Sequence, residues 1–168
     1  AAVLATARAM NAERLNRGAA GNVSARHDDG LLITPTGMAY DACTPEDMCF
    51  VGLDGRCEGR RKPSSEWRFH HDIYVARPEA GSIVHAHAPF AVSLACMGMA
   101  IPAFHYMVAR FGGSDVRCAD YATFGSQELS SAVVTALADR CACLMAHHGM
   151  VVFGRHLEEP RQHLHLVG

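Results

Sequence analysis

The sequence predicts an α/β fold in which helices pack against a mixed or antiparallel sheet. Its 168 residues match the size of one domain, and 49% of them are apolar, which is enough to form a core. The predicted strands occur partly as hairpins and partly in alternation with helices, a pattern that disfavours a doubly wound parallel sheet. Because no repeat, linker or change of composition divides the chain, we expect residues 1–168 to form a single domain.

The composition excludes several classes of protein. Lys and Arg total 15 against 17 Asp and Glu, so the chain lacks the basic excess of a nucleic-acid or membrane-surface binder. No apolar run approaches the roughly 20 residues of a membrane helix. The alanine-rich start, interrupted by Arg8, is typical of an amphipathic helix rather than a signal peptide. Seven irregularly spaced cysteines predict buried thiols in a reducing compartment, and we therefore expect a cytoplasmic protein.

Capping and turn residues divide the first half of the chain into short elements. A helix is predicted over residues 2–16, with Gly18 as the residue that ends it. Thr44 followed by Pro45 and two acidic residues predicts the start of another helix. Two turns that end in Asp-Gly predict two hairpins. Their strands are predicted over residues 22–27, 31–34, 50–53 and 56–58.

Helices and strands alternate in the second half. Pro78 ends one helix, Ser126 caps another, and Gly149 separates two strands. The helices are predicted over residues 64–77, 90–97 and 126–139. The strands are predicted over residues 82–88, 141–148 and 150–153.

The first candidate metal ligands are His85 and His87, within the predicted strand 82–88. Residues two apart on a strand project from the same face, so the two imidazoles can converge on one ion while Ala86 faces away. Two ordinary histidines at the end of a sheet remain the alternative interpretation.

His148 is the predicted third ligand. On an unbroken strand over 141–148 it lies on a face with small neighbours, and Gly149 allows a sharp turn beside it. The same alternation places Cys141 and Cys143 on the opposite face, where we interpret them as packed thiols.

Glu66 is the predicted acidic partner of these histidines. It lies in the first turn of its helix, where the helix dipole and a nearby cation both favour the carboxylate form. It can act as a fourth ligand or a general base, or it can be an ordinary surface residue at a helix start. His70, four residues later, is a rival ligand that we interpret as a residue that either supports the ligands from behind or packs in the core. Three histidines and a carboxylate form a donor set typical of zinc, but their spacing does not name a reaction.

Three short stretches have the composition of anion sites. They combine backbone N–H groups with hydroxyl and amide side chains, and one lies at a helix start. Separately each is an ordinary turn or cap; together they favour a small phosphorylated metabolite over a nucleotide, since none has P-loop spacing. The stretches are Gly21–Ser24, Thr34–Gly37 and Ser64–Ser65.

These motifs, taken together, closely resemble the class II aldolase/adducin family. They occur in the order of the family and span nearly the whole chain, which makes the combination far more specific than any one motif. The matching stretches are GNVSAR (21–26), LLITPTGM (31–38), KPSSEWRFH (62–70), IVHAHA (83–88), IPAFHYM (101–107), YATFG (121–125) and HHGM (147–150).

The resemblance implies a fold, a cofactor and an assembly. The fold would have three layers, with a central, largely antiparallel sheet flanked by helices, and the protein would be a homotetramer with sites at subunit interfaces. Zn²⁺ would be held by His85, His87 and His148. Glu66 would be the resting fourth ligand and the catalytic acid/base, and Tyr106 would donate a proton across the subunit interface. The substrate-binding residues would be Gly21, Asn22, Thr36, Gly37, Ser64, Ser65 and Phe124.

The implied reaction is reversible cleavage of a ketose 1-phosphate, first of all L-fuculose 1-phosphate, to dihydroxyacetone phosphate and a small aldehyde such as L-lactaldehyde. A 5-deoxypentulose phosphate and ribulose 1-phosphate are alternative substrates. Alternative functions are a methylthioribulose-phosphate dehydratase, a pentulose-phosphate 4-epimerase or a non-catalytic adducin-like module. The epimerases carry Asp where this chain has Glu66, and the adducin-like modules lack the full metal set.

The C-terminal region departs from the family pattern. The family continues after Arg155 with a long helix and a mobile tail, whereas here Pro160 is expected to interrupt that helix and the sequence ends at Gly168. We therefore expect either a truncated sequence or a variant shortened at its C-terminus, with consequences for closure of the site, for aldehyde specificity and for subunit packing.

Overall fold

A computed structural model describes residues 1–166 of the chain; the last two positions of the predicted domain, 167 and 168, lie outside the described residues. The strands are β1 (Asn22–His27), β2 (Gly30–Ile33), β3 (Cys49–Gly52), β4 (Cys57–Glu58), β5 (Ser82–Ala86), β6 (Arg117–Ala119), β7 (Ala142–Met145) and β8 (Gly149–Gly154). The α-helices are α1 (Ala2–Ala12), α2 (Trp67–Ala76), α3 (Pro89–Cys96), α4 (Gln127–Ala136) and α5 (Glu158–Leu164). Short 3₁₀ helices cover Tyr40–Ala42, Pro45–Asp47 and Tyr106–Phe111.

All these strands form one sheet, in the order β4-β3-β2-β1-β5-β8-β7-β6. Each neighbouring pair is antiparallel except β6 and β7, which are parallel. The expectation of a largely antiparallel sheet is therefore confirmed. The strand β5 lies near the middle, between β1 and β8, and all of its residues are buried.

Helices cover both faces of the sheet, which confirms the three-layer arrangement. Side chains of α1, α3 and α5 share one core with Val84 of β5. Side chains of α2 and α4 share a second core with Ile83, the preceding residue. Adjacent strand residues point to opposite faces, so this alternation is what divides the apolar residues between two cores. Burying each such Val or Ile side chain contributes about 1.5–3 kcal/mol.

The first helix ends earlier than predicted, at Ala12 rather than residue 16. Arg14 (φ 61°) ends the helix in the left-handed conformation; Gly18 is also left-handed (φ 62°) but lies beyond the end of the helix. The backbone N–H of Leu15 donates to Met10 O (2.9 Å), and that of Arg14 donates to Asn11 O (3.1 Å). This is the Schellman motif, and burial of Leu15 and Met10 in the same core supplies its apolar contact.

Other differences from the predicted elements are local. The helix expected at Thr44 is a single 3₁₀ turn closed by a capping box, and α2 begins at Trp67 rather than at residue 64. The strand β6 and the helix α5 were not predicted. Pro160 does not interrupt α5 but lies in its first turn, where the missing backbone N–H costs no helical hydrogen bond.

The predicted hairpins β1–β2 and β3–β4 are confirmed. The cysteines are free thiols, as expected, but not all are buried. Burial is complete for Cys43, Cys49 and Cys143, whereas Cys57 and Cys96 are exposed.

Because an L-amino acid with a side chain is disfavoured in the left-handed region, replacing Arg14 by glycine should stabilise the protein. We expect Arg14→Gly to raise the free energy of unfolding by about 0.5–1 kcal/mol. Arg17→Gly is the matched control: it removes the same charge from an exposed neighbouring site whose φ is not positive, and it should lower stability. Urea unfolding measures both, and equal effects of the two variants would contradict the role given to Arg14.

Candidate metal and substrate site

Four side chains predicted to form a metal site converge at one end of the central strands. His85 lies on β5 and His87 one residue beyond the end of that strand. His148 lies in the turn between β7 and β8, and Glu66 immediately precedes α2. The ligand atoms of the three histidines all lie within 4.8 Å of one another. The structure therefore brings together residues separated by up to 82 positions in the sequence (148 − 66).

The Nε2 atoms of the histidines face each other and the carboxylate. His87 Nε2 lies 3.0 Å from His85 Nε2. The carboxylate oxygens of Glu66 lie 3.2 Å from His85 Nε2 and 3.2 Å from His148 Nε2. His85 Nδ1 donates to the carbonyl oxygen of Met150 (2.9 Å), which directs its Nε2 towards the site.

His148 reaches the site by a different route from the one predicted. The strand β7 ends at Met145, and residues 146–148 form a turn in which His147 has a positive φ of 58°. The argument from strand alternation was therefore wrong, although it selected the correct residue for the cluster. The backbone N–H of Ala146 donates to Ala119 O (3.0 Å) and that of His147 donates to Ala95 O (2.9 Å), so β6 and α3 hold the turn in place.

Gly149 does not form the sharp turn that we expected; instead, its lack of a side chain leaves space for the histidines. A Cβ at this position would lie 2.6 Å from Ala86 O and 2.8 Å from His87 Cδ2. Only a residue without a side chain lets β8 approach the end of β5 this closely.

Asn16 is a site residue that the sequence analysis missed. Its buried side chain accepts from the backbone N–H of His87 (2.8 Å), and its Nδ2 lies 3.4 Å from His85 O. It therefore fixes the backbone where the chain leaves β5. Gly21 packs directly on it, since a Cβ there would lie 2.1 Å from Asn16 Nδ2. The only signal in the sequence is an asparagine after a helix, which is too common to identify such a role.

The electrostatics of the cluster favour metal binding. Burial lowers the pKa of His87 and of His148 to about 4, and the neighbouring His85 adds to this effect. Their lone pairs are therefore free at neutral pH. Burial opposes a charge on His85, but the Glu66 carboxylate outweighs burial and raises the pKa of His85. Burial also opposes ionisation of Glu66, yet the two histidines and Asn22 hold its pKa well below its usual value.

One oxygen of Glu66 is buried without a hydrogen-bond donor within the described residues. This atom, Oε1, lies beside His148, whereas Oε2 accepts from Asn22 Nδ2 (3.0 Å). A buried, ionised oxygen without a donor is costly unless a cation compensates it. Three converging imidazoles and this oxygen fit a divalent ion, which would compensate the charge of the buried carboxylate.

A cleft of about 420 Å³ opens beside the histidines, and residues from each of the three predicted anion-binding stretches line it. Every predicted substrate-binding residue lines it, including Phe124, whose side chain is exposed to solvent. Tyr121 and His147 also line it and were not predicted; their rings are in edge-to-face contact (5.8 Å between centroids). The predicted residues on its wall are Gly21, Asn22, Thr36, Gly37, Ser64, Ser65 and Phe124.

Two predicted residues have surroundings that the sequence did not indicate. The Asn22 side chain is buried, with Nδ2 on Glu66 and Oδ1 on His70, so both of its polar atoms already have partners. Tyr106 is 80% exposed in a 3₁₀ helix and does not line the cleft of its own chain. His70 is fully buried and contacts Asn22, the partner of Glu66, rather than the metal cluster, in agreement with its interpretation as a residue that supports the ligands or packs in the core.

Comparison with known proteins identifies the class to which this fold and site belong. The profile of the Class II Aldolase and Adducin N-terminal domain matches residues 1–167. The chain therefore belongs to the class II aldolase and adducin family.

Named relatives and solved structures agree with this assignment. A 5-methylthioribulose-1-phosphate/5-deoxyribulose-1-phosphate aldolase of Rhodospirillum rubrum is 55% identical over 152 residues, which are 90% of this chain and 69% of that protein. The L-fuculose phosphate aldolase of Escherichia coli K12 is 47% identical over 145 residues, 86% of this chain and 67% of that protein. The structure of an L-fuculose 1-phosphate aldolase matches with a TM-score of 0.94 and 33% identity, covering 97% of this chain and 78% of its own.

These relationships make the chain an aldehyde-lyase of the class II aldolase type, and the expectation of an enzyme is confirmed. The family is metal-dependent, in keeping with the histidine cluster. None of the helices within residues 1–166 has the length and apolar character needed to span a bilayer.

We expect the purified protein to bind about one divalent ion per chain through the histidine cluster. His87→Ala should lose most of this metal, because it removes one of three converging imidazoles. His156→Ala is the matched control, since His156 is exposed and lies outside the cluster. Elemental analysis after dialysis against zinc measures the content; a full equivalent in His87→Ala would refute the assignment.

Acid should destabilise the protein through His70. Burial lowers the pKa of His70 to about 3, against 6.5 for an exposed histidine. Below pH 6.5 the unfolded chain therefore binds a proton that the folded chain does not, and stability falls as the pH falls towards 3. Between pH 7 and pH 5 this residue alone should cost about 2 kcal/mol.

The comparison of wild type with His70→Gln isolates this effect, because the other titrating groups contribute equally to the pH dependence of both proteins. Urea unfolding of both proteins in the presence of a chelator should show a smaller loss of stability between pH 7 and pH 5 for the variant. Parallel pH profiles would show that His70 is not the buried neutral base described here.

Proposed function

We propose that this enzyme cleaves a ketose 1-phosphate reversibly to dihydroxyacetone phosphate and a small aldehyde, with Zn²⁺ as its cofactor. The observation that carries the proposal is the buried Glu66 carboxylate, which has one oxygen without a donor and lies 3.2 Å from two imidazoles on the wall of the cleft. An aldol cleavage needs a cation near a carbonyl oxygen and a base that can move a proton at the adjacent carbon, and this arrangement supports both.

His85, His87 and His148 would hold the zinc ion, with Glu66 as its fourth ligand at rest. When bound, the ion would polarise the ketone of the substrate and stabilise the negative charge that develops on its oxygen. The neutral state of His87 and His148 supports this role, as does the hydrogen bond from His85 Nδ1 to Met150 O, which fixes the ring.

Glu66 Oε1 would move the proton on carbon. In the direction of synthesis it takes the proton from the hydroxyl-bearing carbon of dihydroxyacetone phosphate, and the resulting carbon nucleophile attacks the aldehyde carbonyl. In the direction of cleavage it returns a proton to the same carbon after the carbon–carbon bond has broken. Its oxygen Oε2 stays hydrogen-bonded to Asn22, so one atom of the carboxylate is anchored while the other is free to react.

The phosphate group would bind at the opposite side of the cleft from the histidines. Ser64 and Ser65 precede the N-terminus of α2, where backbone N–H groups and the helix dipole attract an anion. The segment of Thr36 and Gly37 runs beside them, joined by the hydrogen bonds from Thr36 N to Lys62 O (3.1 Å) and from Ser64 N to Thr34 O (3.0 Å). Gly21 and Asn22 complete the proposed set.

The aldehyde end of the site would depend on a second subunit. Tyr106 is exposed and does not line the cleft of its own chain, and we propose that it protonates the aldehyde oxygen in a neighbouring subunit of a homotetramer. Phe124 would form part of the wall at this end. The free cysteines are in keeping with a reducing compartment, and we propose a cytoplasmic location.

L-Fuculose 1-phosphate, expected from the sequence motifs, is one candidate substrate. The relative with 55% identity favours a second candidate, 5-deoxyribulose 1-phosphate or its 5-methylthio analogue. Both classes share the dihydroxyacetone phosphate half and differ only in the aldehyde released. Since Tyr121 and Phe124 place aromatic rings on the cleft wall, an aldehyde with an apolar tail suits this site well.

A coupled assay for dihydroxyacetone phosphate tests the proposal with both L-fuculose 1-phosphate and 5-deoxyribulose 1-phosphate. We expect activity that is lost on chelation and restored by zinc. Glu66→Gln should keep its fold and its Asn22 contact but lose activity by at least about 100-fold, the usual contribution of a general base. Glu128→Gln, at an exposed position on α4, should retain it.

Two results would overturn the proposal. The first is zinc-loaded wild-type protein without activity on any ketose 1-phosphate. The second is turnover in Glu66→Gln at the wild-type rate, which would show that Glu66 does not transfer the proton.

A further inference from the structure

A line of four buried polar side chains leads away from Glu66 between β1 and α2. Asn22 Oδ1 lies 2.5 Å from His70 Nε2, and His70 Nδ1 lies 2.7 Å from Ser24 Oγ. Ser24 Oγ lies 3.0 Å from Tyr74 Oη. The proposed reaction uses only Asn22, the first of these side chains. Buried polar groups are costly without hydrogen-bond partners, so each member of the line needs one.

The direction of every hydrogen bond in this line follows from the carboxylate. An ionised Glu66 only accepts, so Asn22 must turn its NH₂ group towards Glu66 and its oxygen towards His70. That oxygen needs a donor, and His70 Nε2 must therefore carry the hydrogen.

The remaining two bonds then follow in order. In a neutral ring His70 Nδ1 is an acceptor, so Ser24 donates to it, and Tyr74 donates to Ser24. All four hydrogen bonds therefore point the same way, from the tyrosine towards the carboxylate.

The far end of the line is itself fixed. The guanidinium of Arg26 lies 4.8 Å from the centre of the Tyr74 ring, and Arg26 Nη2 donates to Tyr74 O (3.0 Å). Ser24 and His70 are completely buried, so water does not compete for their hydrogen bonds. The line is thus anchored at both ends, by Arg26 and by Glu66.

We propose that His70 is a positioning residue for Glu66: its Nε2–H group holds the Asn22 amide in the one orientation that donates to the carboxylate. This inference rests on the proposed function, because it gives the anchored oxygen of Glu66 a purpose in proton transfer. Without the donor on His70, the Asn22 oxygen is buried without a partner and the amide is free to rotate. Glu66 then loses the hydrogen bond that anchors Oε2, and its two oxygens are no longer held in distinct roles.

The tautomer of His70 is the first test, and it does not depend on activity. In the zinc-loaded protein labelled with ¹⁵N-histidine, the ring of His70 should be neutral at pH 7 with its hydrogen on Nε2. The signal is assigned by its disappearance in His70→Gln. A hydrogen on Nδ1, or a charged ring, would overturn the proposal, because Asn22 would then have no reason to keep its orientation.

Kinetics of two variants form the second test. Glutamine can place an N–H group near the position of Nε2, whereas leucine cannot. We expect His70→Leu to retain its zinc but to lose about 10–100-fold in kcat, the usual effect of removing a partner behind a metal site, with KM changed by less than about threefold. His70→Gln should recover most of the lost kcat.

Ser130→Ala controls for simple loss of stability. It breaks the hydrogen bond from Ser130 Oγ to Asp72 Oδ2 (2.6 Å), which joins α4 to α2 away from the site. We expect this variant to be less stable but unchanged in kcat. Wild-type kcat in His70→Leu, or equal losses in the leucine and glutamine variants, would overturn the positioning role.

The outcomes also separate the two proposals. If wild-type protein has no aldolase activity, the proposed function fails, and the His70 tautomer still decides whether the amide of Asn22 is held as described. If wild type is active and His70→Leu is equally active, only the positioning role fails. If His70→Leu does not fold, the tautomer and the glutamine variant decide.

Discussion

A carboxylate buried among histidines is the constraint on which the rest of this structure depends. Removing the charge of Glu66 from water costs several kcal/mol unless donors or cations replace the solvent. Asn22 donates to one of its oxygens, His85 and His148 lie beside the carboxylate, and the N-terminus of α2 adds its dipole. Each of these groups is supplied by a different segment of the chain, so the fold is required to bring those segments together.

The central strands meet this requirement through their register. Asn22 of β1 is paired directly with His85 of β5, and His85 in turn is paired with Val151 of β8. Two neighbouring strands therefore place Asn22 and His85 side by side without any long loop, and β8 begins at the same end of the sheet, directly after His148. Where a loop is used, at residues 146–148, its backbone N–H groups donate to carbonyl oxygens of β6 and α3, which restrains it.

Patterns that depend on neighbours in the sequence were predictable, and those that depend on distant partners were not. The pair His85 and His87 follows from the two-residue period of a strand, and the hairpins follow from their turn residues. Asn16 was missed because its partners lie about 70 residues away. The end of α1 was misplaced because Arg14 occupies a position that glycine usually takes, stabilised by the contact between Leu15 and the core.

The position of β5 inside the sheet also determines which motions can displace His85 from the site. Native proteins open in cooperative segments, and strands paired on both sides are among the last to exchange their amide hydrogens. The β5 backbone is bonded to β1 and to β8, whereas β4 and β6 are the edges of the sheet. Fluctuations that expose an edge leave His85 in place, because removing His85 from the sheet breaks the ladders to β1 and to β8 at once. Displacement of His85 is therefore coupled to opening of the central sheet, and an ion held by the cluster would exchange through the open cleft.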